Sequence, residues 1–379
     1  MAPGITPCKA ARSLVAASLL ALTSWLLGCA GEPPASQKQR SPDEVRAQLV
    51  ALMPASVADR SGWAADIYAA LAVLRIEPSP THLCAVLAIV EQESTYRVDP
   101  AVPQLGKIAS EEIDQRAENL GLPRLLVHAA LQLHSKDGRS YGERIDAAKT
   151  EKELSDTFED FIGLVPLGQR LFGGYNPVRT GGPMQVSIAF AERQWKDKPY
   201  PYPATGSARA EVFTRRGGLY FGIAHLLDFP AAYDQMLYRF ADYNAGRYAS
   251  RNAAFQNAVT VASGIPLDLD GDLLCEGADI DKPGSTELAV RSLGSRLGLG
   301  DRAIRDALAH GDSAGFDRSE IHERVFRLAE RAQGRPLPHA VLPRIVLKSP
   351  KITRPLTTEW FAKRVAERQQ RCLARTSAA

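Results

Sequence analysis

Glu91 and Glu93 close an otherwise oily segment, and their placement suits acid–base chemistry. Residues 83–90 (LCAVLAIV) are apolar on every side, so the helix they belong to is expected to run through the middle of a core. Ser79 suits the cap of that helix, and Pro80 the first helical position, where its missing N–H is not needed. Asp99-Pro100 is expected to stop it, because a residue before proline is pushed out of the helical region. A carboxyl in the last turn faces the negative end of the macrodipole, and its apolar neighbours strip it of water. Both effects raise its pKa towards the protonated form that a general acid needs near neutral pH. Glu91 and Glu93 diverge by about 200° around a helix, so only one can face a given cleft. The bland reading of the pair is two solvated acids at a helix end.

Two later stretches bear on that choice. Gly182-Pro183-Met184-Gln185 sits in the glycine-rich segment 172–186, a tight loop leading into a short helix over 187–195. Asp242-Tyr243-Asn244-Ala245-Gly246 ends another helix, and Asn before Ala-Gly is a natural stop because Asn and Gly tolerate left-handed backbone. With Glu93-Ser94, the three stretches resemble the lytic transglycosylases of the goose-type lysozyme superfamily. That family runs Glu-Ser on a central helix, then Gly-Leu-Met-Gln, then Ala-Tyr-Asn-Ala-Gly. The resemblance covers roughly residues 60–265. Pro183 stands where the family has Leu or Met, Asp242 where it has Ala, and the gap between the first two motifs is much longer here.

The resemblance implies a peptidoglycan lytic transglycosylase. Glu93 would be the single acid/base, protonating the oxygen between N-acetylmuramic acid and N-acetylglucosamine. It would then take the proton of the muramoyl 6-hydroxyl as that oxygen attacks C1, giving a 1,6-anhydro product. Most glycosidases need two carboxylates; here the 2-acetamido group of the substrate would stabilise the oxocarbenium-like state. Ser94 would position Glu93 or substrate, Met184 would form an apolar wall, and Gln185 and Asn244 would bind sugar amides and hydroxyls. Tyr243 would hold Glu93 through its hydroxyl. No cofactor or metal is implied. Each residue also has a structural reading: helix end for Ser94, core for Met184, loop cap for Gln185, helix stop for Asn244. Asp242 is either a second carboxylate that positions a hydrolytic water or a solvated helix-end acid. A hydrolytic muramidase and a catalytically silent glycan-binding lipoprotein are the alternatives. The enzyme reading requires Glu93, Gln185, Tyr243 and Asn244 to line one concavity, with Glu91 pointing elsewhere.

The elements that must carry these residues read as helices, an all-α fold with a lysozyme-like core. After a helical pattern over 43–75 and the central helix come helices over 111–121, 124–134 and 143–161, which make 101–175 a long helical insertion. A helical hairpin over 217–243 turns at Pro230, and a short helix spans 253–264. The catalytic domain is expected over 45–282. Helices over 287–310 and 318–333, a proline-rich segment 335–355 and a last basic helix are expected to form an accessory C-terminal region, 283–379. Asp268, Asp270 and Asp272 around Gly271 read either as a calcium loop, with glycine misplaced and Asp279 at position twelve, or as an aspartate-rich turn. His128 and His134, six apart, do not share a helical face and read as incidental.

The net charge of +3 drops to +1 without Lys9 and Arg12, and no basic stripe interleaves with aromatics, so nucleic acid is not an expected partner. Lys9, Arg12 and the apolar stretch 13–27 read as a signal peptide over 1–28 that ends in Leu26-Leu27-Gly28-Cys29. That ending resembles a bacterial lipobox, which implies acylation of Cys29, a polar tether over 29–44 and a lipid-anchored mature chain. Ala30 rather than Asp after the cysteine implies the outer membrane, inner leaflet, facing the periplasm. The expected partners are peptidoglycan strands and that membrane. In an oxidising compartment, Cys84 reads as a core residue, and a bridge is expected between Cys275 and Cys372; no CxxC spacing suggests zinc.

Overall fold

A central helix, Pro80–Ser94 (α3), follows Pro42–Leu52 (α1) and Arg60–Val73 (α2). Ser79 caps it by accepting from the His82 N–H at 3.2 Å, with Pro80 in the first turn. Every side chain from Leu83 to Val90 is at most 2% exposed. Burial of Leu83, Val86, Leu87, Ile89 and Val90 contributes about 1.5–3 kcal/mol each. The helix ends earlier than Asp99-Pro100, because Thr95 and Tyr96 both take left-handed backbone, with φ of 51° and 58°. Neither is glycine, so this turn costs about 1–2 kcal/mol per residue. The Tyr96 hydroxyl, donating to the Leu87 carbonyl at 3.3 Å, and its edge contact with Trp63 hold the turn in place.

The computed structural model describes residues 40–164, 166–168, 170, 173–198, 200–204, 206–275, 277, 279–347 and 355–376. The expected signal peptide, the acylated Cys29 and the tether as far as residue 39 lie outside the described residues. Among those residues the fold is all-α, with 17 helices and two small two-stranded sheets.

The insertion contributes Leu105–Asn119 (α4), Arg124–Leu131 (α5), Tyr141–Ala147 (α6) and Glu151–Gly163 (α7). The single helix expected over 143–161 is two, because Thr150 opens a new one with a capping box to Glu153. The Val102 N–H donates to the Lys149 carbonyl at 2.8 Å, and Ala101 pairs with Thr150. The segment 101–150 is therefore closed at its two ends, so the length of α4–α6 has little loop-closure cost.

Thr180–Gly181 (β1) and Val186–Ser187 (β2) form an antiparallel hairpin around the 182–185 loop. After it come Ile188–Asp197 (α8), Ala208–Val212 (α9), Arg215–Leu227 (α10), Met236–Ala245 (α11) and Ala249–Ser263 (α12). The hairpin loop presses into a glycine slot on α10. A Cβ at Gly218 would come within 2.4 Å of Pro183 Cδ, and one at Gly222 within 2.4 Å of Met184 Sδ. Gly222→Ala is therefore expected to lose about 1–3 kcal/mol by overpacking, read as a lower urea midpoint at unchanged slope.

The C-terminal region is corrected on two points. Ser285–Ser292 (α13), Gly294–Leu297 (α14), Asp301–Leu308 (α15) and Glu320–Gln333 (α16) share a second core with α12. The last helix, Thr358–Thr376 (α17), belongs instead to the first core, against α3 and α11. Residues Pro42–Ala379 form one unit by contacts. The disulfide is Cys84–Cys372, not Cys275–Cys372, and Cys275 is free and exposed. Cys84 and Glu91 lie on one stripe of α3, seven apart, and both face α17: Glu91 pairs with Arg368 at 3.4 Å and Arg371 at 3.8 Å.

Candidate active site

Glu93 lies about 200° around α3 from Glu91 and lines a cleft of about 970 Å³. Gln185, Tyr243 and Asn244 line the same cleft. Ser187, Phe190, His225 and Phe361 are further lining residues, and residues 271–274, 308–309 and 311–312 line it as well. No described residue of the 101–164 segment lines it, so the insertion does not block it.

The Glu93 carboxyl is half-buried at the cleft wall, with protein packed around it. Burial pushes its pKa from 4.5 up to about 8, and the nearby Glu151 carboxylate pushes in the same direction. Glu93 is thus held protonated at neutral pH. Glu151, in the first turn of α7, follows directly on the Ala101–Thr150 pairing, which brings it near the end of α3. Its sequence context, a Thr-Glu-Lys-Glu helix start, carries no chemical signal.

A raised acid pKa has a defined stability consequence. Between the unfolded value of 4.5 and the folded value of about 8, the folded chain binds the extra proton. Stability therefore falls as pH rises through that window. Glu93→Gln removes the penalty: it is expected to stabilise the protein by about 3 kcal/mol at pH 8–9, discounted for partial solvent access, and by nothing near pH 4. Thermal melts of both proteins across pH check this.

The other expected residues divide. Gln185 has φ 49°; its Nε2 donates to the Gly182 carbonyl at 3.3 Å, and the Thr180 hydroxyl donates to its Oε1 at 3.3 Å. These bonds fix the side chain at the cleft and keep its backbone in a sparsely populated conformation. Asn244 Oδ1 accepts from the Thr358 hydroxyl of α17 at 2.9 Å, which turns the amide nitrogen free as a donor to a ligand. Tyr243 departs from expectation. Its hydroxyl donates to the Met184 carbonyl at 2.7 Å, so it holds the hairpin loop and not Glu93. Burial, with the Glu93 charge beside it, raises its pKa well above the usual value, so it stays a donor.

Met184 is fully buried in the glycine slot and forms no cleft wall. Ser94 is buried and donates to the Val90 carbonyl at 3.0 Å, an i−4 bond within its own helix. Asp242 is neither a water-positioning carboxylate nor a solvated acid. It is fully buried, accepts from the Tyr233 hydroxyl, and accepts from the Ser250 N–H at 2.7 Å. It joins α11 to the first turn of α12, where an anion suits the helix N-terminus. Asp270 likewise serves a turn, accepting from Gln256 at 2.6 Å and from the Asp272 N–H at 2.9 Å.

Three contributors were not foreseen. Thr358 and Phe361 come from the last helix. His225 sits 8% exposed between Phe190 and Tyr243, its Nε2 facing the Tyr243 carbonyl at 3.2 Å. A carbonyl only accepts, so Nε2 carries the hydrogen and Nδ1 is an acceptor without a partner among the described residues. Burial and the Arg247 charge push its pKa down to about 4, so it remains neutral. Nothing in a helical run around Leu226-Leu227 singles it out.

Fold and site together define a helical protein whose buried central helix delivers one protonated carboxyl into a polar-lined cleft. The model of the family described as "Protein of unknown function (DUF1615)" matches residues 56–375, and the chain belongs to that family. It is similar to the "Uncharacterized protein YaiW" of Escherichia coli (strain K12), at 53% identity over 357 residues, covering 94% of this chain and 97% of that protein. No solved structure matches.

Proposed function

We propose that this protein is a lytic transglycosylase acting on peptidoglycan, lipid-anchored through Cys29 to the periplasmic face of the outer membrane. The observation that carries the reading is the meeting of Glu93, with its raised pKa, and Gln185, Tyr243 and Asn244 in one cleft. Glu93 donates its proton to the glycosidic oxygen as the C1–O4 bond breaks. The substrate's acetamido oxygen stabilises C1, and the Glu93 carboxylate then accepts the 6-hydroxyl proton as O6 closes on C1. One carboxyl thus acts as acid and then as base. Gln185 and the Asn244 amide nitrogen orient the sugar, and Tyr243 fixes the loop that carries Gln185.

The engagement of Asp242 with Tyr233 and Ser250 favours the anhydro route over hydrolysis, since that carboxylate cannot activate a water at C1. Mass spectrometry of sacculi digested with the purified protein tests the proposal. Fragments ending in 1,6-anhydromuramic acid support it. Reducing ends assign a hydrolytic muramidase, and binding without release assigns a silent glycan-binding protein. The rate should fall above about pH 8, where Glu93 loses its proton.

A further inference from the structure

The insertion holds a second cavity, of about 660 Å³, between α4, α5, α6 and α7. Its walls are aliphatic and aromatic; Ile113, Leu131, Tyr141, Leu154 and Phe161 are among them. Leu120, Leu122 and Leu126 border it at 65%, 48% and 63% exposure, and Leu125 stands beside them at 81%. The helix α5 has no buried residue; Leu126, Val127, Ala130 and Leu131 look onto the cavity and do not close a core. A run of exposed leucines at the edge of an apolar cavity marks a binding surface.

Three observations select the occupant. A polar ligand would give up its bonds to water and find almost no replacement on these walls. A docked helix two turns long, a cylinder 10–12 Å across, needs roughly 1,000 Å³, more than the 660 Å³ present. A slender hydrocarbon chain fits both limits. The third observation is where the chain outside the structure ends. Residues 30–39 join Cys29, expected to be acylated, to the first described residue. Extended, that tether reaches no more than about 40 Å, so an anchored domain stays within that distance of a bilayer.

We propose that the insertion is a lipid-binding element: the Leu120–Leu126 edge enters the bilayer surface, and the cavity takes one acyl chain of a membrane lipid. The charges at the rim are already paired with one another: Arg116 with Glu112 at 2.5 Å, and Arg124 with Glu118 and, at 3.9 Å, with Asp114. Binding is therefore driven by apolar burial and depends little on salt or on anionic lipid.

The test uses the chain from residue 40 onward, which retains the whole Pro42–Ala379 unit and lacks the anchor. Two readouts apply: flotation with vesicles of phosphatidylethanolamine and phosphatidylglycerol, and fluorescence titration with cis-parinaric acid displaced by palmitate. The proposal expects one-to-one uptake of the probe and vesicle retention that survives high salt. It expects Ala130→Trp, which fills the cavity, to abolish uptake. Leu125→Asp with Leu126→Asp should cut vesicle retention by about tenfold or more, and Leu122→Glu, at an exposed position, gives an independent reading if a buried variant fails to fold. Absence of uptake, uptake undiminished in Ala130→Trp, or retention unchanged in the surface variants overturns the proposal. Self-association through this face without lipid binding overturns it as well. None of these readouts involves the glycan cleft.

Discussion

Glu93→Gln is expected to lower the release of anhydro-muropeptides from sacculi by a factor of about 10²–10⁴, the usual worth of a positioned general acid. The amide occupies nearly the same volume, offers no transferable proton and carries no charge, so cleft shape and sugar binding should persist. Sacculus binding by the variant should match that of the native protein. The same substitution is expected to make the protein more stable at alkaline pH, because burial pushes the native carboxyl towards the neutral form. Loss of activity together with a gain of stability distinguishes a functional carboxyl from a structural one. Glu91→Gln is the control: Glu91 faces Arg368 and Arg371 on the opposite side of α3, and the substitution should leave turnover intact. If both proteins with and without the Glu93 carboxyl release fragments at equal rates, Glu93 is not the acid.

Reduction of Cys84–Cys372 is expected to remove up to about 6 kcal/mol of stability by the chain-entropy relation, because the bridge joins residues 288 apart. The loss should exceed its thermodynamic share in function. The helix α17, freed from α3, also carries Thr358, which orients Asn244, and Phe361, which lines the cleft. Urea unfolding of oxidised and reduced protein measures the first effect. The KM for glycan fragments, compared with kcat, measures the second: misplacement of Asn244 should appear mainly in KM. The variant with both cysteines replaced by alanine should reproduce both effects. An unchanged urea midpoint, or unchanged KM in reduced protein that remains folded, would remove α17 from the account of the site.

Local physics made much of this chain legible before any coordinates. The apolar run 83–90 allowed only a helix buried on all sides, and Ser79-Pro80 marked its start because cap and first-turn rules act within three residues. The spacing of Glu91 and Glu93 alone required them to diverge, and they do. Where a choice depended on partners distant in sequence, the sequence was silent or misleading. Thr95 and Tyr96 stop α3 in left-handed backbone because Trp63 and Leu87 receive Tyr96, a packing effect that overrides the proline signal five residues later. Asp242 looked like a solvated helix end because Tyr233 and Ser250, which bury it, lie on other turns and another helix.

By itself, then, the sequence determined the helical class, the buried central rod and that Glu91 and Glu93 could not share one face. These follow from periodicity, capping and backbone sterics, all of short range. Only the tertiary structure decided that Cys84 pairs with Cys372, that the last helix helps to wall the cleft, that Met184 and Ser94 turn inward, and that Glu151 arrives beside Glu93. Those outcomes rest on which distant surfaces bury one another, and burial is a property of the folded whole.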